Sequence, residues 1–371
     1  METNQTVTLY LDYQATTPLA PEALAAMMPW LADGFANPHS SHKLGRQAAA
    51  AIAVARDQVA ALLPGGGRVF FTSGATEALN WAIKGSVGEH DGLVLPDTEH
   101  AAVRDAAHWL RECGHEVTIL PVEPSGLINL DRLRSAITPQ TRLVAAMHVN
   151  NEIGVIQPVA EIAALAHASG ALMLCDAVQS FGRVAIPEAP DLIAISAHKI
   201  HGPKGVGALW VRDGVLLAPL LHGGGQEGGL RSGTLSPALC AGFGAAAEIA
   251  LERREADADH MTYLWNEACD LIPQKWCING SIIERYRGNL NIHMNKIDAS
   301  RLISEVRDVA FSAGSACASG SGRSSHVLRA IGLSEADARS SIRLGYGRYT
   351  GVAELRAALG SIIDAARRQE L

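Results

Sequence analysis

The sequence predicts an α/β fold, with a large domain on a mostly parallel, mixed sheet flanked by helices and a smaller α+β domain. Three observations carry this. Short apolar runs alternate with helical patterns from about residue 15 to 250, as strands joined by helical crossovers do. The texture then changes to a charged helical stretch followed by shorter, separated strand-like runs. The chain has 371 residues, 48% of them hydrophobic, which is enough to fill one large and one smaller core.

The strands expected in the large domain are Val69–Thr72, Gly92–Leu95, Val117–Leu120, Leu143–His148, Ala171–Cys175, Leu192–Ser196 and Gly207–Val211. Helices fill the gaps, among them Thr76–Lys84 and Val159–Ala168. The Ala48–Ala51 run sits beside Arg46, Gln47 and Arg56 and reads as a soluble helix. A charged helix is expected from Ala241 to about Ala258. The smaller domain is expected to use strands Asn289–Met294, Asp308–Phe311 and Ser341–Leu344, with helices from Val327 and Val352. The domain limits are set at 15–255 for the large domain and 1–14 with 256–371 for the small one. The small domain includes a loop of small residues at about 312–324.

The net charge of −7 and the lack of a basic patch argue against nucleic-acid binding. No run approaches the roughly 20 apolar residues of a membrane span, and the N-terminus has no signal-peptide pattern. The six cysteines lack zinc-type spacing. A cytoplasmic protein with mostly inert, buried thiols is expected.

Loops after parallel strands gather at one sheet edge, where ligands bind. Behind the first strand lies Thr72-Ser73-Gly74-Ala75-Thr76-Glu77, whose small residues let backbone N–H groups approach an anion at a helix start. By itself this is equally an ordinary helix cap. His100 follows the second strand and Asn151 the fourth. The fifth ends in Asp176, with Gln179 three residues on; a carboxylate there needs a partner, either a structural arginine or a cationic ring. The sixth ends in Ser196-Ala197-His198-Lys199, and Ile200 to Gly205 form a stiff turn behind that lysine. In isolation Lys199 reads as a snorkelling loop lysine. Together these residues match the needs of pyridoxal 5'-phosphate (PLP): an anion site for the phosphate, a carboxylate for the ring nitrogen, and a lysine for the Schiff base. No G-x-G-x-x-G opens the first βα turn, so a dinucleotide site is weaker. Cys317 lies in a run of glycine, serine and alanine that buries a thiol poorly, which makes it a candidate nucleophile. Arg343 on a short strand suits a bidentate grip on a carboxylate.

Several segments, in order and with matching gaps, resemble the cysteine desulfurases, class V aminotransferase-like enzymes of PLP fold type I. They are Leu11–Pro18, Thr72–Glu77, Thr98–His100, His148–Gly154, Asp176–Ser180, Ser196–Gly205, Arg231–Thr234 and Gly314–Cys317. The resemblance implies conversion of L-cysteine to L-alanine, with sulfur passing to an enzyme persulfide and on to iron–sulfur assembly or other thiolation. Selenocysteine lyase and class V aminotransferase are the alternatives, and a mobile thiol favours the desulfurase. An idle scaffold-binding subunit would have no reason to keep Lys199, Asp176, His100 and Cys317 together.

By position, the resemblance makes Lys199 the Schiff-base lysine and Asp176 the partner of the pyridine nitrogen. Gln179 and Asn151 contact the phenolic oxygen, Asn151 also lying near substrate. Ala75, Thr76, Ser196 and His198 form the phosphate site, with Thr234 donated to it by a second subunit of a homodimer. His100 stacks on the ring and moves protons, Arg343 binds the substrate carboxylate, and Cys317 forms the persulfide. A sulfur-accepting or scaffold protein is implied as partner. No resident metal is implied, the Cys317 persulfide serving at most as a transient ligand of an iron–sulfur cluster.

Overall fold

The structure, a computed structural model, describes residues 8–314 and 324–370. In chain order its strands are Leu9–Tyr10 (β1), Gly67–Thr72 (β2), Gly92–Pro96 (β3), Val117–Leu120 (β4), Thr141–Met147 (β5), Leu172–Asp176 (β6), Leu192–Ser196 (β7), Gly207–Arg212 (β8), Cys277–Ile278 (β9), Asn289–His293 (β10), Val309–Ala310 (β11), Ser312–Ala313 (β12) and Ser341–Gly345 (β13). A seven-stranded sheet has the order β2-β8-β7-β6-β5-β3-β4. β8 runs antiparallel to both its neighbours, and the other pairs are parallel. Thr72, Pro96, Met147, Asp176 and Ser196 therefore end their strands at the same edge.

The strand sequences explain this arrangement. β3 and β7 are buried throughout, so their runs are nearly continuously apolar and do not alternate. On one face Phe71, Trp210, Phe181 and Phe243 pack with Ile52 and Val59 of the helix Lys43–Ala60. On the other, Phe70, Leu93 and Leu209 pack with Trp81 and Val103 of the helices Ala75–Ser86 and Ala101–Glu112.

A second core collects Leu11, Leu264, Trp265, Leu290, Ile342, Leu344 and Leu359. It lies on a four-stranded antiparallel sheet of order β12-β13-β10-β9. The N-terminal segment joins this part of the fold: β1 pairs parallel with β11, and Asp12 bridges to Gly345.

Two elements differ from expectation. The charged helix is two helices, Pro237–Glu252 and Arg254–Leu271, separated at Arg253 (φ −98°, ψ 3°). The first buries Phe243 and Ala246 in the large core, and the second buries Leu264 and Trp265 in the small one. Each helix follows its own core, so the axis changes between them. The strand expected at Asp308–Phe311 is instead two pieces. Val309–Ala310 pairs with β1 and Ser312–Ala313 pairs with β13, the chain changing sheets at Phe311.

Candidate active site

The shared strand edge opens into a cavity of about 560 Å³. Ser73 to Glu77 enter it from the end of β2, His100 from beyond β3, Asn151 from beyond β5, Gln179 from beyond β6, and His198 with Lys199 from the end of β7. Arg343 reaches it from β13, across from the large sheet.

Lys199 ends a short 3₁₀ turn that continues β7. Its Nζ donates to the carbonyls of Gln14 (2.5 Å) and Ala15 (2.8 Å). The turn is pinned from outside. The Thr17 N–H and hydroxyl both donate to the His198 carbonyl, at 2.9 and 3.0 Å. Gly202 closes it, because a Cβ there would lie 2.9 Å from the Ala197 carbonyl oxygen.

Asp176 is buried, and its Oδ1 accepts the Val178 N–H at 3.0 Å. Burial pushes its carboxyl above the usual range, against the pull of His100, the Val178 N–H and Lys199. His100 caps the helix Ala101–Glu112, its Nδ1 accepting the Ala102 N–H at 3.1 Å. A backbone N–H only donates, so Nδ1 carries no proton and Nε2 is the nitrogen left to exchange one.

Gly74 caps the helix Ala75–Ser86. The Glu77 carboxylate takes the Ser73 N–H at 2.7 Å and a fork of Arg231 at 2.7 and 3.0 Å. Burial alone would raise its pKa, but the bonds from Arg231 and Ser73 outweigh that and hold it below the ordinary value. β8 lies directly against this turn. A Cβ on Gly207 would come within 2.8 Å of the Gly74 backbone and 2.6 Å of the Ile195 carbonyl oxygen. Thr76, Ser196 and His198 complete this end of the cavity. His198 is held neutral, its pKa brought down to about 4 by burial and then by Lys199 and Lys204.

Arg343 is buried to 1% exposure. Its Nη1 donates to the Asn151 carbonyl (3.0 Å) and its Nη2 pairs with the Asp12 carboxylate (2.8 Å). Its Nε has no partner among the described residues. Asn151 sits in a turn built by its neighbour: the Asn150 Oδ1 accepts the N–H groups of Glu152 (2.9 Å) and Ile153 (3.0 Å).

Of the residues singled out from sequence, Ala75, Thr76, His100, Asn151, Asp176, Gln179, Ser196, His198, Lys199 and Arg343 all line this one cavity. Thr234 does not; it is exposed. Cys317 lies outside the described residues. Sequence reasoning passed over Gln14, Ala15, Lys204 and Glu99. The first two act through backbone carbonyls, which side-chain identity does not announce. The sequence marks Lys204 only as part of the stiff turn, although it too lines the cavity. Glu99 is fully buried, its Oε1 accepting the Met147 N–H at 2.8 Å and its Oε2 without a partner among the described residues.

A model of the family described as aminotransferase class-V matches residues 9–357. The cysteine desulfurase IscS of Rickettsia akari is 43% identical, over 98% of this chain and 93% of that protein. A solved structure of a NifS-like protein superposes with a TM-score of 0.88 at 31% identity, covering 96% of this chain and 99% of its own. SspA in complex with cysteine gives a TM-score of 0.82 at 37% identity, covering 93% of this chain and all (100%) of its own.

Proposed function

Since the chain belongs to the class-V aminotransferase family, and within it to the cysteine desulfurases, we propose that this cavity holds PLP and L-cysteine in the roles its side chains suit. The enzyme is a PLP-dependent cysteine desulfurase. The observation that carries the assignment of roles is the meeting of Lys199, Asp176, the start of the helix Ala75–Ser86 and Arg343 in one cavity.

The donor set fits the cofactor. Asp176 is a buried carboxylate whose charge burial opposes, and a cationic ring nitrogen offsets that cost. The helix start, with Thr76, Ser196 and His198, supplies donors for a phosphate. Lys199 would hold the aldehyde carbon, Gln179 and Asn151 would meet the phenolic oxygen, and His100 would cover the ring. When bound, PLP supplies an electron sink for negative charge developing on the substrate. Arg343, a guanidinium at the cavity wall, orients the substrate carboxylate. His100 exchanges a proton at Nε2. The Cys317 thiolate attacks the sulfur of cysteine, forming an S–S bond as the C–S bond breaks, and keeps the sulfur as a persulfide.

We read residues 15–255 as the cofactor domain and 1–14 with 256–371 as the smaller domain. The working form on this reading is a homodimer, with Thr234 reaching the phosphate of the opposite subunit. An exposed apolar stripe of Leu24, Met28, Leu31 and Phe35 on and beyond the helix Pro21–Ala32 supports an association surface. The sulfur goes on to an acceptor protein in the cytoplasm, and iron–sulfur cluster assembly fits the kinship with IscS.

The test is turnover of L-cysteine by wild type, Lys199→Ala and Cys317→Ser, read as sulfide and alanine. Wild type given cysteine without reductant should gain one sulfur, at Cys317, by mass spectrometry. Cys317→Ser should keep its PLP and its spectral response to cysteine but release no sulfide. Sulfide and alanine from Cys317→Ser at the wild-type rate would overturn the persulfide role. Unchanged reducible PLP attachment in Lys199→Ala would overturn the cofactor site.

A further inference from the structure

An amide side chain can present its oxygen or its NH₂ to a neighbour, and the two ends are nearly equal in shape. At Gln179 that choice is made from behind. Its Nε2 donates to the Gln14 carbonyl at 2.9 Å, and its Oε1 accepts from Arg183 Nη1 at 2.9 Å. A guanidinium only donates, so this bond fixes which end of the amide carries the oxygen. Flipping the amide would set two donors against each other at Arg183 and two oxygens against each other at Gln14. The second arm of Arg183, Nη2, donates to the backbone carbonyl of Lys199. Its guanidinium also lies over the Tyr286 ring, 5.5 Å from the centroid. Arg183 itself does not line the cavity. It stands one layer behind and touches the two residues flanking the place assigned to the cofactor's oxygen and aldehyde.

We infer that Arg183 is a positioning residue: by joining the Gln179 Oε1 to the Lys199 carbonyl, it turns the Gln179 N–H toward the phenolic oxygen of PLP. The inference rests on the reading of Gln179 as a contact to that oxygen. An N–H donated there favours the ionised oxygen, and an amide oxygen in the same place disfavours it. The arrangement therefore sets the pH at which the bound cofactor changes colour, separately from how fast the enzyme turns over.

The experiment is a pH titration of the visible absorption band of the PLP-loaded protein. It is run for wild type, Gln179→Ala, Arg183→Met and the double variant. Loss of the donor should raise the midpoint by roughly one pH unit in Gln179→Ala, and by a smaller but resolvable amount in Arg183→Met, where the Gln14 carbonyl alone still favours the same end of the amide. In the double variant Arg183→Met should add nothing, because its effect travels through Gln179. Arg183→Lys, a milder change that keeps one donor, is read the same way: a smaller rise, also abolished by Gln179→Ala. It serves if Arg183→Met yields no loaded protein. A Gln179→Ala midpoint at the wild-type value overturns the contact with the oxygen, and the inference with it. A shifted Gln179→Ala beside an unshifted Arg183→Met overturns the inference alone. So does an Arg183→Met shift that persists in the Gln179→Ala background, which would be an effect of charge and not of orientation.

Discussion

Replacing Glu99 by glutamine should stabilise the protein, and increasingly so as the pH rises. Glu99 is 0% exposed. Burial pushes its carboxyl from an ordinary 4.5 to about 8; the Met147 N–H pulls it down and Asp176 adds to the rise. The folded-state pKa therefore lies above the unfolded one. Stability from such a group is fully present below the unfolded value and is lost as pH rises toward the folded value. Between pH 5 and 8 the unfolded chain carries the charge while the folded chain must hold the proton. Each pH unit in that window costs the native state about 1.4 kcal/mol, or about 3 kcal/mol across most of it. Glutamine is close in shape to the neutral acid, its oxygen still accepts the Met147 N–H, and it has nothing to titrate. For a chain of this length about 3 kcal/mol corresponds to about 4 °C in Tm. Thermal unfolding of the PLP-loaded wild type and Glu99→Gln should give close midpoints at pH 5 and a gain of about that size at pH 8. Activity at pH 7 should stay near wild type, because Glu99 is already uncharged there. Wild-type and variant curves that run parallel from pH 5 to 8 would refute the reasoning.

Three further outcomes follow from the site. Asp176→Asn removes a buried charge at little change of shape, so far-UV circular dichroism should be preserved while kcat falls by roughly two orders of magnitude or more; near-normal turnover would make Asp176 merely structural. Gly207→Ala drives a methyl against both the Gly74 turn and the Ile195 carbonyl of β7 and should weaken PLP affinity at least about tenfold in equilibrium dialysis; unchanged affinity would show that both relax freely. Arg343→Lys cannot hold the Asn151 carbonyl and the Asp12 carboxylate at once, so the KM for L-cysteine should rise roughly tenfold with a smaller change in kcat; an unchanged KM would remove Arg343 from substrate binding.

The large sheet was legible because its strands are buried on both faces and stand out as apolar runs between helical stretches. β3 and β7 fall within a residue of expectation for that reason, while β4, a partly buried edge strand, is marked by its apolar and β-branched residues. The site was legible as far as it uses side chains at strand ends. It was not legible where it uses main chain, as at Gln14 and Ala15, or where a role depends on what lies in front, as with Arg183. The break at Arg253 carries no glycine or proline, and its cause is that two cores claim the two halves, which is tertiary information. Phe311 is similar: nothing local marks where a strand leaves one sheet for another. Glu99 reads as an ordinary loop acid until the fold encloses it.

The N-terminal segment also bears on how the enzyme is made. Asp12 meets Ser312 and Arg343 across 300 and 331 residues of sequence. Lys199 meets the Gln14 and Ala15 carbonyls across 185 and 184. A ribosome adding about 5–20 residues per second needs roughly 15–60 seconds to travel from the first of these partners to the last. The sheet carrying Lys199 and Asp176 is complete in sequence well before then, while Asp12 and Leu11 still wait for strands not yet translated. A nascent chain can thus own every group that grips the cofactor and still lack the arginine that fixes the amino acid. Competence to take up cysteine arrives only once Arg343 has been made and the segment around Asp12 closes on it.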